Sequence, residues 1–139
     1  MTKQLEDLFS FLRFPSISTD SNHAGDVRAC AEWLVEKLNH MGLVTELHET
    51  SQHPIIVARN QHVAGKKTCL IYGHYDVQPV DPVELWDSPP FEPEIRDGRI
   101  WGRGSTDNKG QMLAHVLGVE QSLKEDGELP VNLIFLFEG

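Results

Sequence analysis

The chain has 139 residues and a formal net charge of −9. That length suits one domain, in which roughly 68% of the unfolded surface can be buried. The acidic balance excludes nucleic acid or an anionic membrane as the main partner, because both select basic patches. The 40% hydrophobic content is that of a soluble protein, and the longest apolar run, Leu133 to Phe137, is far too short to span a bilayer.

Residues 2–13 place Leu5, Leu8, Phe9 and Leu12 on one helical face, with Thr2 as the cap. Pro15 ends this helix by disfavouring helical geometry at Phe14. A second helix is predicted over 25–41, with Val27, Ala31, Leu34, Leu38 and Met41 inward and Gly42 as its stop. Strands follow at 43–48 and 54–59. Residues 68–72 and 131–137 are continuous apolar runs read as strands, the first of the kind buried on both faces. Between them lie a proline-rich loop over 77–93, a short hairpin turning at Asp97-Gly98, and a helix over 107–124 with a wide apolar stripe. The N-terminus lacks a signal-peptide core. Cys30 and Cys69 lie inside apolar patterns and are expected as buried free thiols. Both features point to a reducing cytoplasm.

The alternation of strands and helices predicts an α/β fold, with helices packed on a mostly parallel central sheet. Ligands in such folds bind outside the carboxyl ends of the strands, and His74, Asp76 and Glu138 all fall there. His74 and Asp76 are two positions apart, so an extended chain projects them to one side. A histidine with a carboxylate behind it is a common metal-binding arrangement. A second stretch, Trp101-Gly102-Arg103-Gly104-Ser105-Thr106-Asp107-Asn108-Lys109-Gly110, brings another carboxylate to the start of a helix. Arg103 is expected to pair with a nearby carboxylate. Lys109 is expected either to balance an acidic site or to lie on the solvated helix surface. Trp86, Phe91 and Trp101 are expected to pack the long loop, and His115 to be packing or helix surface.

These stretches, with Gly73-His74-Tyr75-Asp76-Val77-Gln78-Pro79, Trp86, Pro90-Phe91 and Asp97-Gly98, resemble the zinc-dependent exopeptidases. That family includes the carnosine-type and cytosolic non-specific dipeptidases, succinyl-diaminopimelate desuccinylase and acetylornithine deacetylase; the dipeptidase branch is the most similar. The resemblance implies a site holding two divalent metal ions, zinc by expectation, with manganese or cobalt as alternatives. His74 and Asp107 would be metal ligands, Asp107 bridging the pair. Asp76 would stand behind His74, fixing its orientation and raising its basicity. A cis peptide is implied at Asp107–Asn108.

The family's pattern after the last strand is Glu-Gly-x-Glu-Glu, and Glu138-Gly139 matches only its start. The resemblance therefore implies that residues 1–139 are the N-terminal portion of a metallopeptidase catalytic domain. The general base, the remaining ligands and the lid or dimerisation domain would lie beyond Gly139. The implied activity is hydrolysis of a dipeptide-type or N-acyl amino acid amide bond, and the longer parent is expected as a homodimer. The alternative is a non-catalytic truncated module or scaffold with a vestigial metal site.

Overall fold

The structure, a computed structural model, describes residues 2–139. Three helices, α1 (Lys3–Leu12), α2 (Ala24–His40) and α3 (Lys109–Asp126), accompany six strands. These are β1 (Val44–His48), β2 (Ile55–Arg59), β3 (Thr68–His74), β4 (Glu94–Arg96), β5 (Arg99–Trp101) and β6 (Asn132–Glu138). Each predicted element is present. The Thr2 hydroxyl accepts from Leu5 N at 3.4 Å and caps α1. Gly42 and Gly127, at φ +81 and +74, end α2 and α3 in the left-handed conformation that glycine adopts without a side-chain clash. Asp97 and Gly98 both have positive φ, as a two-residue hairpin turn requires.

The main sheet runs β1-β2-β6-β3, and β4-β5 form a separate hairpin. The α/β class holds, but the sheet is not mostly parallel: β1–β2 and β2–β6 pair antiparallel, and only β3–β6 is parallel. Connection length explains the difference. Only six residues join β1 to β2, enough for a reversal and too few for a crossover. The segment from β3 to β6 carries α3, which is the crossover that parallel strands need.

The second correction concerns burial. On one face Ile56, Ala58, Leu133, Phe135 and Phe137 are buried with Phe11 of α1, Val27, Ala31 and Leu34 of α2, and Met112, Leu113 and Val116 of α3. The opposite face carries Leu70 and Tyr72, 58% and 55% exposed, beside half-buried Ile134 and Leu136. The apolar run of β3 predicts cover on both sides, but among the described residues only one side is covered. β3 is also a sheet edge, which leaves Cys69 exposed while Cys30 is buried in the core. No helix among the described residues is long and apolar enough to cross a membrane.

Burial holds the Cys30 thiol up at about 11, and buried apolar surroundings keep such thiols inert. Iodoacetamide at neutral pH is expected to label Cys69 in the folded chain and Cys30 only after unfolding. The covered and open faces should also differ in stability. Phe135→Ala is expected to cost about 3–5 kcal/mol and Leu70→Ala less than about 1 kcal/mol in denaturant unfolding.

Candidate metal centre

The site is built where the end of β3 meets the beginning of α3. The backbone N–H of His74 donates to the Asn108 carboxamide at 3.1 Å. A Cβ added at Gly73 would sit 2.3 Å from Met112 Cγ and 3.0 Å from Asn108 Oδ1. Only glycine lets the helix approach the strand this closely. Gly110 plays the same part within the turn, since a Cβ there would lie 2.1 Å from the Ser105 carbonyl oxygen. The Asp107–Asn108 peptide is cis, as the resemblance implies.

This junction brings His74, Asp76 and Asp107 together. His74 Nδ1 lies 2.9 Å from Asp76 Oδ1, and His74 Nε2 lies 3.1 Å from Asp107 Oδ1. An ionised carboxylate only accepts, so in the tautomer with its proton on Nδ1, which satisfies Asp76, the Nε2 lone pair faces Asp107. Two acceptors facing each other at that distance call for positive charge between them, from a proton on Nε2 or a cation. Two donors about 2.1 Å from one shared cation lie about 3.0–3.4 Å apart at angles of 90–110°. The imidazole and carboxylate therefore fit a divalent ion in both chemistry and spacing. The Asp107 side chain is 82% exposed, so the pair is open to solvent. Among the described residues, no group of three or more His, Cys, Asp or Glu side chains is arranged to hold a metal ion.

Glu138 reaches the same end of the sheet, since it is the β6 partner of His74 in the parallel register. Its carboxylate accepts the hydroxyl of Tyr72, which pushes that phenol up from its ordinary value.

Lys109 does not lie on the solvated helix surface. It is fully buried, and its ammonium donates to the carbonyls of Phe11 and Phe14, at 3.1 and 2.8 Å, over the Phe11 ring. These carbonyls lie at and just beyond the end of α1, where the helix leaves acceptors unpaired and its dipole favours a cation. Burial pushes the Lys109 ammonium down from its ordinary value. Among the described residues Arg103 pairs with no carboxylate. It donates to the Pro79 carbonyl at 2.9 Å and lies over Trp86, so it helps fasten the proline-rich loop. Trp86 donates to the Val80 carbonyl at 2.8 Å, and Arg96 lies 4.5 Å from the Trp101 ring centre. His115 is on the exposed side of α3.

Sequence reasoning missed the contacts behind Asp76. Ser16, Ser18 and His53 bond to the 75–77 segment or to one another. The Phe14-Pro15-Ser16-Ile17-Ser18 stretch reads locally only as a helix terminator. Its paired serines are the one signal that could have drawn attention to it.

A family description, Peptidase family M20/M25/M40, matches residues 70–139, and the chain belongs to that family. A similar relative is the Cys-Gly metallodipeptidase DUG1 of Candida albicans, 35% identical over 99% of this chain and 31% of the relative. A metallo-carboxypeptidase of the M20 family from Sulfolobus solfataricus, Sso-CP2, has a solved structure that matches with a TM-score of 0.89 at 38% identity. That match covers 100% of this chain and 31% of the other. Human carnosine dipeptidase 1 matches with a TM-score of 0.90 at 27% identity, over 99% of this chain and 32% of the other. The chain thus spans less than a third of the length of the curated relatives it matches.

The tight β3–α3 junction predicts that Gly73→Ala destabilises the fold by about 1–3 kcal/mol through overpacking. Gly118→Ala, at a position with nothing within 4 Å of an added Cβ, should leave the denaturation midpoint unchanged or slightly raised.

Proposed function

We propose that residues 1–139 are the metal-binding N-terminal portion of a catalytic domain that hydrolyses amide bonds in small peptides of the dipeptide type or in N-acyl amino acids. The observation that carries this reading is the meeting of His74 Nε2 and Asp107 Oδ1 at 3.1 Å, with Asp76 behind the ring. The names of the relatives, metallodipeptidases and a metallo-carboxypeptidase, support the reaction class.

In this proposal His74 and Asp107 would hold metal, with Asp107 shared between two ions. When bound, two divalent ions, zinc by preference, supply Lewis-acid polarisation of the amide carbonyl and a strong nucleophile at neutral pH. Asp76 would keep the His74 proton on Nδ1, which leaves the Nε2 lone pair available to the metal. The Asn108 carboxamide holds the His74 backbone, so strand end and helix start move as one unit. Glu138 is not assigned as the general base. That base and the further ligands are proposed to follow Gly139 in the longer protein.

The pair alone makes an underfilled site. The 139-residue chain is therefore expected to bind zinc weakly and to hydrolyse dipeptides little or not at all. In zinc calorimetry His74→Ala and Asp107→Ala should abolish uptake, and Asp76→Ala should weaken it about 10- to 100-fold. Ordinary peptidase turnover by this chain, or zinc uptake unaffected by these substitutions, would refute the assignment.

A further inference from the structure

We infer that Ser18 is a positioning residue for this centre: its hydroxyl holds the Asp76 carboxylate in the orientation from which Asp76 aligns the His74 ring. The inference rests on the metal-site reading above. The Ser18 hydroxyl donates to Asp76 Oδ2, while Asp76 Oδ1 accepts from His74 Nδ1 at 2.9 Å. Each carboxylate oxygen thus has its own side-chain partner. A carboxylate held at one oxygen can rotate about its last torsion, which is broad and weakly restricted. Held at both, it presents a fixed acceptor to the imidazole.

Ser18 is itself firmly placed. Its carbonyl accepts from His53 Nε2 at 2.9 Å. Two residues earlier, Ser16 is fully buried, and its hydroxyl donates to the Tyr75 carbonyl at 2.7 Å. The backbone N–H of Val77 donates to the Ser16 carbonyl at 2.9 Å, and Ile17 bridges to Val77 in parallel fashion. Residues 16–18 therefore run beside residues 75–77, with Asp76 between two backbone-anchored neighbours. The sequence distance is large, since the Ser18–Asp76 bond spans 58 positions. It ties the turn after α1 to the residue behind the proposed metal ligand.

A serine that only packed the turn would influence stability and leave metal affinity alone. One that fixes Asp76 acts on affinity. Loss of partners behind a ligand weakens metal binding by about 10- to 100-fold. Ser18 stands one bond further out than Asp76, so the lower end applies.

The test is a zinc titration of the 139-residue chain, followed through the His74 imidazole signals by NMR, alongside melting temperatures. Ser18→Ala should need about tenfold more zinc for half-saturation, and Ser18→Thr, which keeps the hydroxyl, should stay within about threefold of the unaltered chain. If Ser18→Ala does not fold, Ser18→Gly replaces it under the same criterion, because it also lacks the hydroxyl and brings no metal ligand. Equal zinc affinity in the hydroxyl-free variant, or a Thr variant as weak as Ala, overturns the role of Ser18 while leaving the metal site standing. An unaltered chain that takes up no zinc overturns both readings.

Discussion

The site depends on the close approach of the first turn of α3 to the last residues of β3. Met112 and Asn108 occupy the space where a side chain at Gly73 would be, and the Asn108 carboxamide takes the His74 N–H. The parallel pairing of β3 and β6 fixes the direction of this approach, since the chain must cross the sheet through α3 to return alongside β3. The ammonium of Lys109, two residues after Asp107, enters the protein and binds the carbonyls at the end of α1. The proposed metal ligands thus lie on a junction of strand and two helices, and such rigid support is what a precise site requires.

Much of this was legible in the sequence because it is periodic or local. Leu5, Leu8 and Leu12 mark α1 at helical spacing, the Asp97-Gly98 turn marks a hairpin, and His74 and Asp76 at a two-residue spacing meet at 2.9 Å. The proximity of Asp107 to His74 was legible only through family resemblance, since nothing local relates positions 74 and 107. Contacts between distant side chains and backbone carbonyls left no local trace. Lys109 on Phe11 and Phe14, Arg103 on Pro79, and Ser18 on Asp76 are of this kind. Apolar content also misled in β3, because a run such as Cys69-Leu70-Ile71-Tyr72 reads the same whether one face or both are covered.

The sheet is asymmetric. All three helices contribute to the core on one side, while Leu70, Tyr72, Ile134 and Leu136 form an apolar strip on the other. β1–β2 and β2–β6 are antiparallel, and only β3 and β6, linked through α3, run parallel. The same β3–β6 pairing that carries the open strip puts His74 level with Glu138 at the strand ends. The apolar strip and the proposed chemistry therefore share two strands.

The measurement that bears most directly on the account is anomalous diffraction from crystals of the chain soaked in zinc, with data collected on both sides of the zinc edge. The account predicts a zinc peak between His74 Nε2 and Asp107 Oδ1, with the His74 Nδ1–Asp76 bond intact. A peak elsewhere with none at this pair, or no peak at any zinc concentration the crystals tolerate, would contradict it.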